Sequence, residues 1–153
     1  MKKNITKFWT LLILLVSYGI SGSAQTATAP SGIGTNGSPY QIATLNNLYW
    51  LAVQVNSGTD FSGKYFIQTA NIDASHTSTW NNNQGWMPIG HPVDVAFNTF
   101  YYFSGNYNGQ NHTISNMNMN RSIFWAGGLF EITFGATISN VGLSNVCITA
   151  VNG

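Results

Sequence analysis

Phe61-Ser62-Gly63-Lys64-Tyr65 returns downstream as Phe103-Ser104-Gly105-Asn106-Tyr107, and Thr113-Ile114-Ser115-Asn116-Met117 returns as Thr137-Ile138-Ser139-Asn140-Val141. The second match has an offset of 24 residues, which Met119 and Leu143 also keep. A period in the twenties, carried by strands this short, is what a parallel β-helix or solenoid produces: coils stack, apolar residues line the inside, and Asn forms ladders at the turns. A β-sandwich would instead give longer strands at spacings of about 8–12 residues without matching residues at a fixed offset. The offset predicts that Ile114 and Ile138 occupy equivalent inward positions on neighbouring coils, with Asn116 and Asn140 stacked near the turn.

Outward from these matches the chain keeps the same character. Tyr65-Phe66-Ile67, Ala70-Asn71-Ile72, Met87-Pro88-Ile89, Phe100 to Phe103, His112-Thr113-Ile114, parts of Ile123 to Phe130 and pieces of Thr137 to Ile148 read as short strands cut by Gly and Asn. Asn108-Gly109 marks a tight turn. Upstream, Pro39 to Ile42 reads as a brief strand. It is followed by one convincing helix: Thr44 is a good N-cap, Leu45, Leu48, Tyr49, Leu51, Ala52 and Val55 recur at helical spacing, and Asn56-Ser57-Gly58 ends the run. Such an amphipathic helix, Leu45–Val55, is suited to covering the open end of a stack of strands.

The N-terminus has a different composition. Lys2, Lys3 and Lys7 precede an apolar run from Phe8 to Val16, and Ser21-Gly22-Ser23-Ala24 supplies small residues, so residues 1–24 read as a secretory signal peptide cleaved after Ala24. The apolar run is too short for a membrane span, which takes about 20 residues. Residues 25–38, rich in Thr, Ala, Gly and Ser, read as a flexible linker. Residues 39–153 then form the β-helical portion. Export leaves Lys64 and Arg121 against Asp60, Asp73, Asp94 and Glu131, two cations against four anions, hence a mature net charge of −2 in place of the precursor's +1.

Charge is scarce: 6% of residues in a chain of 153, against about 25% in ordinary domains. No basic stripe exists to neutralise phosphates, which excludes a nucleic-acid binder. The chain is 44% hydrophobic and 14% aromatic, which argues against charge-driven disorder. A single cysteine, Cys147, cannot build a disulfide scaffold, and it reads as a small hydrophobe in or near a strand. Polarity comes instead from neutral residues, with 19 Asn among them, a composition typical of secreted or cell-surface β proteins.

The order of these stretches resembles GLUG-motif surface proteins of Bacteroidota-type bacteria. The resemblance is carried by Pro39-Tyr40-Gln41-Ile42, Leu48-Tyr49-Trp50-Leu51-Ala52, Val55-Asn56-Ser57-Gly58, Phe61 to Tyr65, Ala70-Asn71-Ile72-Asp73 and Trp86-Met87-Pro88-Ile89-Gly90. It continues through Phe103 to Ile114, and Gly128-Leu129-Phe130 with Gly135 to Leu143 is similar to the GLUG unit itself. The resemblance covers nearly all of the mature chain, and differs from the family in having one clear GLUG unit where the family has a run. It implies a right-handed parallel β-helix, a solenoid of the pectin-lyase-like kind, in long exported proteins; it implies no common activity. The chain is accordingly expected to be the N-terminal portion of a longer solenoid, since no polar capping helix follows the second copy of the repeat.

Chemistry is harder to place. Parallel β-helices that cleave acidic polysaccharides need carboxylates holding calcium and an Arg or Lys acting on a uronate; here Lys64 and Arg121 are far apart, and Asp60, Asp73 and Asp94 are scattered. Asp73 is better suited to a turn hydrogen bond after the Ile72 strand. No spacing recommends a carboxylate pair for glycoside hydrolysis. His76, His91 and His112 lack metal-ligand spacing, and Cys147 has no candidate base. Trp80, Trp86, Tyr101, Tyr102, Tyr107 and Trp125 sit in turn-rich, polar surroundings. Exposed rings in a row would stack on sugar faces, while packing into coil ends and loops is the simpler account of large aromatics.

The expectation is therefore an all-β, right-handed parallel β-helix fragment with an N-terminal cap helix. Its expected role is that of a secreted or cell-surface, non-enzymatic module for adhesion or ligand display. It has no catalytic residues, metal or cofactor, no transmembrane segment after signal removal, and an extracellular glycan or a cell-surface protein as partner. The alternative is a module that binds or lyses extracellular polysaccharide.

Overall fold

A computed structural model describes residues 25–94, 99–121 and 127–150. The segment read as a signal peptide, Trp125 and the start of the Ile123 to Phe130 stretch lie outside the described residues.

The described chain is mostly strand. Its elements are β1 (Tyr40–Ile42), α1 (Leu45–Val55), β2 (Tyr65–Gln68), β3 (Ile72–Asp73), β4 (His91–Asp94), β5 (Thr99–Tyr101), β6 (Asn106–Asn108), β7 (Thr113–Ser115), β8 (Asn118–Arg121), β9 (Thr137–Ser139), β10 (Gly142–Ser144) and β11 (Cys147–Ala150). Three sheets are wholly parallel, with strand orders β1-β2-β6-β9, β3-β7-β10 and β8-β11. The fourth is an antiparallel pair, β4 with β5. Parallel neighbours need a crossover connection, and here the crossover consists largely of strands in the other two sheets. The chain runs β6, β7, β8 and then β9, β10, β11, adding one strand to each parallel sheet in the same order each time.

Burial follows from the strand period of two. In β2, Phe66 and Gln68 are buried while Tyr65 and Ile67 are half-buried. The inward residues fall in register, sheet by sheet. Phe66 pairs with Tyr107 and Tyr107 with Ile138. Ile72 pairs with Ile114 and Ile114 with Leu143. Met119 pairs with Ile148. With Ile42, Phe103 and Trp86, the inner members of these rows form one apolar cluster.

The register corrects the repeat read from the sequence. Ile114 lies in β7 and Ile138 in β9, strands of different sheets. The residue aligned with Ile114 is Leu143, an offset of 29. The physical reason is a shorter repeat inside the coil. Thr137 to Val141 and Gly142 to Val146 are two five-residue units of strand, Asn corner and apolar residue. The same motif thus marks successive sides of one coil, and the offset of 24 is the true 29 less one side of five.

The corners that follow β6, β7, β9 and β10 turn through left-handed residues. Asn111, Asn116, Asn140 and Asn145 have φ of 62°, 59°, 52° and 49°, a conformation that Asn tolerates better than most L-residues. The corners are linked across coils, though not by the pairing first expected. Asn145 donates from Nδ2 to Oδ1 of Asn116 at 2.6 Å, and Asn116 donates to Oδ1 of Asp73 at 3.0 Å. Asn140 donates to Oδ1 of Asn108 instead, at 3.0 Å. Asn108-Gly109 does begin a turn, with the His112 N–H donating to the Gly109 carbonyl at 2.8 Å, but it leads from one parallel sheet to another. Gly109 is required by proximity: a Cβ there would stand 2.3 Å from the Asn140 carbonyl oxygen of the next coil.

The helix forms where its pattern places it. The Thr44 hydroxyl accepts from the Asn47 N–H at 3.2 Å, and Leu48, Leu51, Ala52 and Val55 are buried in the common core. It follows β1, which is the edge strand at the opposite end of its sheet from β9. Residues 25–38, expected as a flexible linker, are held against this region. Pro30 and Gly34 are buried, Ser31 bridges Gln41, and Asn47 donates from Nδ2 to the Thr28 carbonyl at 3.0 Å. The polar composition that reads as a linker is here satisfied by hydrogen bonds to the domain.

Met87-Pro88-Ile89 forms no strand; Ile89 makes a single parallel bridge to Phe130. The excursion between β3 and β6 contains a 3-10 turn, Ser75–Thr79, three left-handed residues, Asn81, Asn82 and Asn83, and the β4–β5 pair.

Candidate functional site

The aromatic candidates divide sharply once placed. Trp80, Trp86 and Tyr107 are core residues, 4%, 0% and 1% exposed. Trp80 and Trp86 pack on each other at 6.3 Å, and the Trp86 indole N–H donates to the Leu129 carbonyl at 3.4 Å. Tyr107 donates its hydroxyl hydrogen to Oε1 of Gln68 at 3.3 Å, and burial raises its pKa well above the phenol range. These three therefore cannot present a ring face to a sugar, and packing accounts for them. Their turn-rich surroundings do not expose them, because their rings point into the core.

Tyr101 and Tyr102 remain. They line a cleft of about 230 Å³ with Val55, Gly58, Thr59, Asp60 and Phe100. Tyr101 is half-buried and stands edge-on to His91, at 5.4 Å and 87°. Gly58 has φ of +87°, and a Cβ there would be 3.1 Å from the Tyr101 ring, so a glycine lets the ring close over the end of α1. Tyr102 is 41% exposed and packs at 5.4 Å against Phe134, itself 72% exposed.

Asp60 gives the cleft its one carboxylate. Its Oδ1 accepts from the Ser62 hydroxyl at 2.7 Å, the Ser62 N–H at 2.8 Å and the Ser104 hydroxyl at 2.7 Å. These hydrogen bonds, those of Ser62 foremost, hold the carboxyl below its usual range. Oδ2 has no hydrogen-bond partner among the described residues, which leaves an ionised acceptor exposed beside two tyrosines. Sequence reasoning named Asp60 only as one of three scattered aspartates and did not single out Phe134, because the pairing of distant segments is what brings them beside Tyr101 and Tyr102. The recurrence of Phe-Ser-Gly at positions 61 and 103 is the one sequence signal that joins these segments: the Phe61 N–H donates to the Ser104 hydroxyl at 3.0 Å.

Several of the remaining polar groups have local partners, while Nε1 of Trp80 and Nε of Arg121 are buried without a hydrogen-bond partner among the described residues. Asp73 accepts from Asn116 and Ser75, which lowers its pKa and makes it a turn and ladder residue. Arg121 donates from Nη2 to the Gly85 carbonyl at 3.1 Å; burial lowers its pKa, opposed by Glu131. His91 contacts the Pro92 carbonyl through Nδ1 at 2.8 Å. His76 is exposed, His112 is half-buried, and Cys147 is exposed on β11. Among the described residues no three His, Cys, Asp or Glu side chains converge as a metal site, and no helix is long and apolar enough to cross a membrane.

With this geometry in place, comparison with known proteins adds one relative. The chain is 38% identical over 125 residues to halomucin of Haloquadratum walsbyi, an alignment covering 79% of this chain and 1% of that protein. The chain thus spans about one hundredth of the length of the curated relative it matches. No family profile and no solved structure matches it.

Proposed function

We propose that the chain is an exported surface module that works by display and adhesion without catalysing a reaction, built as a right-handed parallel β-helix of the kind the GLUG resemblance implies. The observation that carries this reading is the repeated passage β6-β7-β8 then β9-β10-β11 through three parallel sheets in one order. A stack of that kind makes a stiff, elongated scaffold whose side loops are free to vary. Scarce charge, neutral polar corners and similarity to a protein whose name places it among the mucins support an extracellular setting. The signal-peptide reading of residues 1–24 supplies the route. Protease treatment of intact cells should remove the protein, and the mature N-terminus should be Gln25; cytoplasmic protein retaining Met1 would contradict the proposal.

The cleft favours a second reading, a polysaccharide-binding module. Tyrosine faces beside an ionised acceptor suit a sugar, whose C–H faces pack on rings while hydroxyls donate to carboxylate. A glycan array separates the two. Saturable binding lost in Tyr102→Ala, with unchanged melting, favours glycan recognition. Binding to cells without any glycan signal favours adhesion through a protein partner. Trp86→Ala is unsuited to this test, because Trp86 is wholly buried.

A further inference from the structure

The cleft lined by the end of α1 and by β5 holds a negative charge that no cation of the described chain meets. Oδ1 of Asp60 accepts all three hydrogen bonds, two from Ser62 and one from Ser104, and Oδ2 accepts none among the described residues. Hydrogen bonds alone lower the Asp60 pKa, with no neighbouring charge sharing in the effect, so the carboxylate stays ionised into acid. Arg121 is engaged elsewhere, with the Gly85 carbonyl and the charge of Glu131. Lys64 does not line the cleft, and His91 is held by the Pro92 carbonyl and the Tyr101 ring edge. Phe100, Tyr101 and Tyr102 line the same space. Aromatic faces carry the negative side of the ring quadrupole and attract cations. Just outside, Phe134 is 72% exposed and continues the aromatic surface from Tyr102.

We propose that this cleft recognises the ammonium group of an amino sugar in an extracellular polysaccharide, with the charge on Oδ2 of Asp60, the sugar ring against Tyr101 and Tyr102, and the next unit of the polymer on Phe134. An ammonium N–H donates a charge-assisted hydrogen bond to the carboxylate, roughly twice as strong as one from a hydroxyl between neutral groups. The surrounding rings add to the same preference, because they favour a cation over a neutral group. A uronic acid is disfavoured by the same features: its carboxylate would meet Asp60 with no described cation to offset the repulsion. The space of about 230 Å³ is smaller than pockets that enclose a drug-sized ligand, about 300–1,000 Å³. It takes one sugar ring and leaves the rest of the polymer outside, where Phe134 stands.

The inference rests on the reading of the cleft as a sugar site and adds the charge of the sugar. Its test is calorimetric titration of the protein with a trisaccharide of glucosamine, with its fully N-acetylated form, which keeps the rings and removes the charge, and with a trisaccharide of galacturonic acid. The buffer is acid enough to keep the amines charged. The glucosamine form should bind about ten-fold more tightly than the N-acetylated form, added salt should narrow that gap, and the uronate should not bind. Phe134→Ala should weaken the glucosamine trisaccharide about three-fold while leaving glucosamine itself unaffected. Asp60→Asn should bring the preference for the amine close to one. If that variant loosens the fold through Ser62 and Ser104, the parent's preference at low and high salt decides by itself. Equal binding of the charged and N-acetylated forms, or binding of the uronate, overturns the proposal and leaves the sugar reading standing. A lysine-bearing peptide bound as tightly as the trisaccharide would assign the ammonium to a protein partner and overturn the sugar as its source. No binding of any of the three, with no signal on a glycan array, removes the sugar reading and the proposal with it.

Discussion

Leu143 lies directly over Ile114 in a parallel register, yet Ile114 is wholly buried and Leu143 is 46% exposed. The same residue class at the same position thus has two environments, decided only by whether a coil lies above. Interior rows in this architecture derive their burial from the next layer, which is how nearest-neighbour stability arises in stacked repeats.

Close approach between coils gives the first prediction. Gly109→Ala drives a Cβ against the Asn140 carbonyl, although the Gly109 φ is unremarkable. The clash with backbone should cost about 1–3 kcal/mol. Gly37→Ala meets nothing within 4 Å and should leave stability within about 1 kcal/mol of the parent. Urea denaturation compares them; equal effects would show that the coils are further apart than described.

The helix face supplies the second. Leu51 is 0% exposed, and Leu51→Asp would bury an unpaired charge. The loss should exceed about 4 kcal/mol, with Leu51→Ala costing about 2–5 kcal/mol through the cavity it leaves. An unchanged melting temperature for either would place this face in solvent.

The buried polar pair supplies the third. Tyr107→Phe removes the hydrogen bond to Gln68 and should cost about 1–2 kcal/mol, leaving a buried acceptor unpaired. Because the Tyr107 pKa is raised by burial, its contribution is fully present below the unfolded phenol value of about 10 and is lost as pH rises through the folded value. The parent should lose stability above about pH 10 more steeply than Tyr107→Phe. Melting curves across that range check the difference.

Acid acts on the carboxylates with the opposite sign. Asp60 and Asp73 have lowered pKa values from an ordinary 3.8, so their contribution is present above about pH 4 and fades as pH falls through the depressed values. Asp60→Asn combined with Asp73→Asn should flatten the acid limb of stability below that pH. An acid limb identical to the parent would assign the loss to other groups.

Parts of this were legible in the sequence and parts were not, for physical reasons. The helix from Leu45 to Val55 was readable, because the cap at Thr44 and the apolar stripe are local signals. The parallel strands were readable as short apolar runs, but their register was not. The five-residue side makes Thr137 to Val141 resemble both its own coil's next side and the side of the coil below, so sequence matching alone slips by one side. Tyr107 and Tyr102 are both tyrosines in Asn- and Gly-rich surroundings, yet one is 1% exposed and the other 41%. Tyr107 faces inward from β6, whereas Tyr102 follows the end of β5 and faces outward. Asp60 acquires its place from Ser104, 44 residues away, a relation no local pattern contains.

The stacking of β10 on β7 at an offset of 29 is most directly tested by spin labels on the outward serines. In a Cys147→Ala background, labels at Ser115 and Ser144, which pair across adjacent strands, should sit about 5 Å apart at the backbone and show strong exchange broadening. Labels at Ser115 and Ser139, related by the offset of 24, should show none. Broadening in the second pair and its absence in the first would contradict the account.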